Sequence, residues 1–462
     1  MADLGKVYEA VDREKDRFIA DLQRVVRQPS VSARSFGVRE CAELLKSMLQ
    51  DLGVDARVME TAWLPIVFGE IKTSVPGAPT LLIYNHYDVQ PEDPVDEWKY
   101  PPFGAEIHDG VLYGRGATDA KGNLLAQLKA LDAYKSAGVP LPCNIKFIFD
   151  GEEESGSPSL PAWVDENLEL IRADGALSFD GGFDASDKPR IQLGSSGLLF
   201  VEIRAKGADG DLHSARARIV ENPAWRLVWA LNKLKGEDGR INLPGFYDRI
   251  RPVSDSDRAA LAKVGWDDEK QYRDLGIRRF LHGVTGLKAF EQLLFTPTCN
   301  IAGFGTGYMG PGKKTVLPSR AAVRLDFRLV ADMDPVEILG KLRTFLDENG
   351  CADFEIECKG SVEPSRTSID NPFAAMVVDA AKRVYGVEPG LRPTGDASGR
   401  QGVWLGGKLG GVPAASSSVG PPAWNGHAPN EFMKIDYYLR GIKYAATIWS
   451  NFGEGFRRNG AR

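Results

Sequence analysis

The sequence predicts an α/β protein in which a mostly parallel sheet, covered by helices, forms a catalytic body into which a ferredoxin-like α+β domain is inserted. Three observations carry this expectation. Short, near-continuously apolar runs alternate with helical patterns up to residue 195, as strands buried on both faces do. From residue 196 the order becomes β-α-β-β-α-β with an insertion, the split βαβ arrangement. After about residue 366 helix and short-strand patterns resume. The expected organisation is therefore a catalytic domain made of residues 1–195 and 366–462, interrupted by a second domain over 196–365.

Taken in order, residues 7–53 read as helix, with Leu22, Val25 and Val26 and later Leu44, Leu45, Met48 and Leu49 at helical spacing, split by a loop over 29–35. Strands follow at TLLIYNH (80–86), NIKFIFD (144–150) and GALSFD (175–180), with a helix over about 122–137 between the first two. In the insert, GLLFVEIRAK is a strand and NPAWRLVWALNKLK a helix. A long charged insertion comes next, then strands near 298–304 and at RAAVRLDFRLV, the helix PVEILGKLRTFLDENG and the strand ADFEIECK. The Gly- and Ser-rich segment 406–420 reads as loops around the short strand VPAASSS. In open parallel sheets functional groups collect beyond the carboxyl ends of the strands, which directs attention to the segments just after residues 86, 150 and 180.

Composition narrows the function classes. Lys plus Arg number 57 against 63 Asp plus Glu, a net charge of -6 over 462 residues, which gives no global electrostatic reason to bind nucleic acid or an anionic membrane. The opening MADLGKVYEAVDREKDRF mixes charge with apolar residues, and no run of about 20 apolar residues occurs. No nucleic-acid partner, no membrane and a cytoplasmic location are expected. Cys41, Cys143, Cys299, Cys351 and Cys358 are odd in number and scattered, so they read as buried thiols rather than a disulfide framework or a zinc knuckle.

Of the five histidines, three sit among carboxylates or glycines. In YNHYDVQP, His86 and Asp88 follow a strand directly, and residues two apart in extended chain point the same way. Neutral imidazole is a good metal ligand, and its second nitrogen commonly donates to a carboxylate. His86 is thus a candidate ligand and Asp88 its support; a His–Asp pair closing a strand end is the structural alternative. The glycines of LYGRGATDAKGN fit neither G-x-x-x-x-G-K-[ST] nor G-x-G-x-x-G, since Asp119 stands where the third glycine belongs, which argues against phosphate binding. Asp119 reads either as an N-cap or as a carboxylate bridging two metals.

Glu152, Glu153 and Glu154 in FDGEEESGS repel one another unless solvent or cations neutralise them. They read either as a solvated acidic loop or as a metal ligand beside a general base for a metal-bound water. Asp180 adds a hard oxygen ligand after another apolar run. His427 in WNGHAPNEF and His213 in DGDLHSARA are loop histidines. Two His, two Asp and a Glu make an N/O ligand set suited to paired zinc or manganese rather than to thiolate-bound zinc.

These segments, in this order, resemble the metallopeptidase family that includes carnosinase and cytosolic dipeptidases, aminoacylase, glutamate carboxypeptidases and succinyl-diaminopimelate desuccinylase. NHYDVQP, GRGATDAKGN, EESGS, DLHS, KTVLPSRAAVRLDFRLV, YGVEP and GHAPNE carry the likeness over nearly the whole chain, and the dipeptidase branch is nearest. The resemblance implies two divalent metal ions per subunit, zinc first, with manganese or cobalt as alternatives. His86, Asp119 and Asp180 would hold one, and Asp119, Glu154 and His427 the other. It further implies that Asp88 supports His86, that Glu153 is general base for a water bridging the metals, that Glu152 stands outside the machinery, and that the Asp119–Ala120 peptide is cis.

By the same resemblance the inserted domain is a lid or dimerisation domain whose His213 reaches the active site of the partner in a homodimer, and Arg328 grips a substrate carboxylate through its guanidinium fork, with Asn300 a further candidate for that pocket. Where the dipeptidases have Gly-Gly-Ser-Ile-Pro, this sequence reads PTGDASGR, placing Asp396 near the serine position. A carboxylate there repels a substrate carboxylate and favours an amino group. The expected function is a metal-dependent dipeptidase acting on small peptides. An N-acyl or N-carbamoyl amino-acid amidohydrolase on the same site is the alternative, and a non-catalytic peptide or metal binder the remote one.

Overall fold

The computed structural model describes residues 3–399 and 401–459. Its main sheet has eight strands, in the spatial order Asp55–Met59, Ile66–Ile71, Asn144–Asp150, Thr80–His86, Gly175–Phe179, Ala414–Ser417, Arg190–Gln192 and Gly390–Arg392. The four central strands run parallel. Antiparallel pairing enters at Asp55–Met59 with Ile66–Ile71, at Ile66–Ile71 with Asn144–Asp150, and at Ala414–Ser417 with Arg190–Gln192. The strands read from the sequence are those buried on both faces. The flanking strands 55–59, 66–71, 190–192 and 390–392 were not expected: 190–192 and 390–392 are three residues each and 55–59 is half-exposed, while the buried apolar run of 66–71 stops after Phe68.

Helix Lys121–Ser136 is buried around nearly its whole circumference, packed between the sheet and the long helix Ile435–Asn459. Tyr134 stacks on Trp449 at 6.2 Å. Asn123 and Gln127, buried on this helix, fasten it to the strand ends, although Gln127 Oε1 finds no partner among the described residues. Asn123 donates to Thr118 O and Gly181 O at 2.7 and 2.9 Å and accepts from Val419 N at 3.0 Å. Gln127 donates to Asn85 Oδ1 at 2.6 Å. A buried amide left unpaired would cost about 1–3 kcal/mol, so the helix has one seating against the sheet. The expected N-terminal helical segment is interrupted around 29–35 as read, between Lys15–Arg27 and Val38–Asp51, and its first part breaks again at Glu14, after Leu4–Arg13.

A second sheet takes the order Thr298–Thr306, Arg320–Leu329, Gly197–Lys206 and Glu355–Val362, antiparallel throughout. This is the ferredoxin-like order, with helices Pro223–Leu234 and Pro335–Glu348 packed on it. Leu199, Val201, Leu227, Val323, Phe327 and Leu342 belong to its own core, distinct from that of the main sheet. The charged insertion is folded. It forms helices Asp255–Val264, Asp268–Leu275 and Gly286–Phe295, the first opened by a capping box of Ser254 and Asp257, around a small core of Leu261, Phe290, Leu294 and Phe295. With Ala260 and Ala289 the three helices bury only six apolar positions, too few to show as periodicity.

Two smaller expectations are corrected. Segment 406–420 begins inside helix Gln401–Lys408 before reaching the strand Ala414–Ser417. Cys358 is exposed, on the edge strand Glu355–Val362, while the other four cysteines are buried. Among the described residues no helix is long and apolar enough to cross a membrane.

Gly122, on the first turn of helix Lys121–Ser136, lies where a Cβ would meet Ala117 O at 2.1 Å and Met433 Cε at 2.8 Å. Backbone cannot yield as a side-chain tip does, so Gly122→Ala is expected to destabilise the protein by about 1–3 kcal/mol, read as a lower denaturant midpoint at unchanged slope.

Candidate metal centre

Parallel pairing brings the chemistry to one edge of the sheet. His86 lies opposite Asp150 in register, so the loops leaving strands Thr80–His86, Asn144–Asp150 and Gly175–Phe179 emerge side by side. Asp88, fully buried, joins two of them. Its Oδ1 lies 3.3 Å from His86 Nδ1 and accepts from Glu153 N at 3.1 Å, while its Oδ2 accepts from Glu154 N at 3.0 Å. In the neutral ring these acceptors place the His86 proton on Nδ1 and leave the lone pair of Nε2 facing the cluster.

Asp119 sits between two imidazoles. Its Oδ1 is 3.2 Å from His86 Nε2, and its Oδ2 is 3.2 Å from His427 Nε2. Asp180 Oδ1 is 4.0 Å from His86 Nε2, and Glu154 Oε2 is 3.3 Å from His427 Nε2. The structure thus gathers two triads, His86 with Asp119 and Asp180, and Asp119 with Glu154 and His427, each with its donor atoms within 4.8 Å of one another. Asp119 is common to both. The peptide after it, Asp119–Ala120, is cis.

What holds Asp119 and His427 together is a residue that the sequence reading passed over. Glu431 is fully buried. Its Oε1 accepts from Thr118 N and Asp119 N, each at 2.9 Å, and its Oε2 from Gly116 N at 3.0 Å and Arg115 Nη1 at 2.9 Å. One carboxylate therefore ties the loop before helix Lys121–Ser136 to the loop that carries His427. The second loop is itself unusual: Ala423, Asn425, His427 and Asn430 all adopt positive φ, which costs non-glycine residues about 1–2 kcal/mol each. Asn430 anchors it, donating to Glu97 O at 2.9 Å and accepting from Lys99 N at 2.6 Å. The signal was present in GHAPNE, yet a glutamate amid Pro and Asn reads as solvated.

The field at this edge is strongly negative. Burial opposes a charge on His86, but its contacts with Asp119 and Asp88 outweigh it and raise its pKa well above the imidazole range. Asp119 and Glu154 raise that of His427 to about 10. Burial alone would favour a neutral Asp119, yet His427 and His86 hold its carboxyl below the usual range. Burial pushes Glu153 well above that range, His86 opposing and Asp180, Asp88 and Glu154 adding to it. A buried carboxylate whose proton is easily kept is fitted to carry protons.

Positive charge is what such a cluster demands, and divalent cations supply it most compactly. The donor set fits them on a further observation. His86 Nε2 is buried and finds no hydrogen-bond partner among the described residues, Asp119 Oδ1 being near but outside hydrogen-bond geometry. An imidazole nitrogen left so is costly unless a ligand completes it, and imidazole with carboxylates is the donor chemistry of zinc, manganese and cobalt.

The remaining residues singled out from the sequence separate. Glu152 is buried and accepts from Leu64 N and Ser159 N at 2.8 Å each, pinning the acidic loop rather than facing the cluster. Arg328 donates from Nη1 to Ser398 Oγ at 2.8 Å, reaching from the second sheet to the loop that bears Asp396. Asp326 lies between the other two candidates, 3.9 Å from Arg328 Nε and accepting from Asn300 Nδ2 at 2.9 Å. Asp396 shares a cavity of about 130 Å³ with Asp180. His213 lies in the short strand Leu212–His213, exposed, its Nδ1 accepting from Ala215 N at 3.2 Å; it belongs to neither triad. Asp150 was not anticipated. Burial and the nearby Asp88 charge raise it to about 6, and it accepts from Tyr84 and Ser157 at 3.0 and 2.6 Å.

Comparison with known proteins places the sequence. Residues 82–451 match the family described as peptidase family M20/M25/M40. The chain is 28% identical to the Cys-Gly metallodipeptidase dug1 of Schizosaccharomyces pombe, over 96% of this chain and 97% of that one. It is also 28% identical to the Beta-Ala-His dipeptidase of Homo sapiens, over 84% and 81%. Among solved structures, the M20 family metallo-carboxypeptidase Sso-CP2 from Sulfolobus solfataricus is 37% identical, with a TM-score of 0.81 over 95% of this chain and 99% of that one.

Removing the Glu431 carboxylate orphans four donors at once. Glu431→Ala is expected to cost about 3–5 kcal/mol, since it leaves Arg115 buried and unpaired, and to weaken divalent-cation affinity by about 10–100-fold through the loosened Asp119. Thermal unfolding and competition with a chelator measure the two effects separately.

Proposed function

The chain belongs to peptidase family M20/M25/M40 and is a metallopeptidase, and we propose that it is a metal-dependent dipeptidase whose site is the pair of triads sharing Asp119. The observation that carries this reading is the placing of Asp119 between His86 and His427 at 3.2 Å from each, with the partly buried Glu153 beside them. His86, Asp119 and Asp180 would hold one divalent cation, and Asp119, Glu154 and His427 a second; zinc suits the ligands best, with manganese or cobalt next. Bound there, such cations acidify a water and polarise a carbonyl oxygen.

The chain's own residues do the rest. Glu153 takes a proton from the attacking water as the new C–O bond forms at the substrate carbonyl, and delivers it to the amide nitrogen as the C–N bond breaks. Asp88 sets the position of Glu153 through its backbone N–H and the orientation of His86 through Nδ1. Arg328 pairs with the substrate carboxylate as a guanidinium fork, and Asn300 shares with it the neighbouring Asp326. Asp396 accepts the free amino group.

A homodimer is part of this reading. Thr298–Thr306 is an edge strand with Ile301 53% and Phe304 43% exposed, and helix Pro223–Leu234 shows Trp225 and Trp229, 56% and 54% exposed and stacked at 6.0 Å. A long apolar edge left open to water invites pairing, and a second copy of this chain is the occupant proposed. His213, its Nδ1 used as an acceptor, has its neutral proton on Nε2 and so can donate to a developing oxyanion across the interface.

The 37% identity to the carboxypeptidase Sso-CP2 supports a second reading, removal of a C-terminal residue from longer or N-acylated substrates. Hydrolysis of Ala-Gly and Leu-Gly, set against N-acetyl-Leu and an N-blocked tripeptide, with enzyme loaded with zinc or manganese, decides between them: free dipeptides cleaved faster uphold the dipeptidase, and blocked substrates cleaved faster overturn it. Glu153→Gln is expected to lower kcat by about 10²–10⁴-fold while cation binding measured by titration persists; near-normal turnover would remove Glu153 from its role. Trp229→Asp is expected to shift the protein from dimer to monomer in sedimentation and to lower activity, and mixing inactive Trp229-intact His213→Ala and Glu153→Gln proteins is expected to restore part of it.

A further inference from the structure

We infer that the helical insertion between residues 255 and 295 builds a pocket for a large apolar side chain on the N-terminal residue of the substrate, so that the enzyme prefers dipeptides beginning with residues such as Leu or Phe. The inference rests on the dipeptidase reading and names its substrate class. Its basis is a pair of adjoining cavities of opposite character that meet at Asp396.

The first cavity, about 130 Å³, is polar, lined by Asp180, Gln192, Arg392, Ser416 and Asp396 among others. Through Asp180 it opens on the candidate metal centre. The second, about 380 Å³, is apolar, lined by Trp266, Leu275, Phe280, Leu281, Leu293 and again Asp396. Leu275, Leu281 and Leu293 are 62%, 65% and 48% exposed, a concentration of apolar surface beside a polar reaction site that is the ordinary make-up of a ligand pocket.

The walls are built rather than incidental. Trp266 stacks on Phe290 at 4.8 Å and tilts against Phe280 at 5.8 Å, and Phe280 meets Tyr272 at 4.8 Å. Helix Asp255–Val264 packs on the strand Gly390–Arg392, just before the loop that carries Asp396. Arg366 lies 3.6 Å from Asp257, their side chains only 5% and 4% exposed. The guanidinium groups of Arg366 and Arg392 sit over Phe295 and Phe290 at 5.2 and 5.7 Å. The insertion is thus fastened to the catalytic body at the point where the two cavities join.

Stereochemistry selects the occupant. In a dipeptide the α-carbon next to the scissile carbonyl bears both the free amino group and the first side chain. With the carbonyl at the metal centre and the amine at Asp396, the group that branches from the same carbon toward the apolar cavity is the N-terminal side chain. The C-terminal residue lies across the scissile bond and does not share that carbon.

The test is kcat/KM for Phe-Gly, Leu-Gly and Ala-Gly with metal-loaded enzyme, compared with the variants Leu281→Gln and Leu293→Gln. Both positions are exposed, where substitutions change stability little. The expected result is a preference of about 10-fold or more for Phe-Gly and Leu-Gly over Ala-Gly, with a fall of that ratio by about 5-fold or more in each variant, Ala-Gly serving as the internal reference. Hydrolysis of all three at similar kcat/KM, or a ratio unmoved in both variants, overturns the pocket while leaving the dipeptidase intact. Failure to cleave any free dipeptide overturns the dipeptidase reading, and the pocket falls with it.

Discussion

A single, partly buried carboxylate placed between two imidazoles organises this molecule. Asp119 touches His86 on one side and His427 on the other, and these three residues come from the end of a central strand, the turn before the most buried helix, and a loop more than 300 residues further on in sequence. Bringing like-charged groups together out of water is unfavourable unless each is paired. The surroundings answer that cost with a scaffold that leaves Asp119 no alternative position: Glu431 receives its backbone N–H, Asn123 clamps the start of the following helix to Gly181, and Asp88 holds the facing acidic loop.

The electrostatics and the chemistry follow from that crowding. Asp119, Glu154, Asp180, Glu153 and Asp88 converge on two histidines, and the field they create draws positive charge, raising both imidazoles. Divalent cations would meet the same demand without protons, and the proposed reaction then assigns the proton transfer to Glu153, whose carboxyl the surroundings push well above the usual range. The neighbouring Glu152 shows how narrowly the roles are drawn. It is one residue away and more deeply buried, and both its oxygens are spent on backbone donors.

The central strands and the residues at their ends were legible because burial on both faces writes itself as unbroken apolar sequence, and because His86 and Asp88 at i and i+2 must share a face. Charge alone could not rank Glu152, Glu153 and Glu154; only resemblance to the wider family did. Three features were not legible. The flanking strands are three residues long, half-exposed or, at 66–71, apolar only over Ile66–Phe68. The insertion hides three helices behind a charged composition with six buried apolar positions. Glu431 and Asp150 are buried acids in loop and strand-end contexts that read as solvated, and what makes them structural, a ring of backbone N–H donors around one and Tyr84 with Ser157 around the other, exists only in three dimensions. The same holds for the meeting of two cavities at Asp396.

The most direct test of Asp119 as the shared ligand is the stoichiometry of zinc bound at equilibrium by the purified chain and by Asp119→Ala and His427→Ala, with circular dichroism to establish that each is folded. Two equivalents in the parent protein, about one in His427→Ala and none retained tightly in Asp119→Ala are expected from two triads joined at one carboxylate. Two tight equivalents remaining in folded Asp119→Ala would contradict the shared-ligand centre.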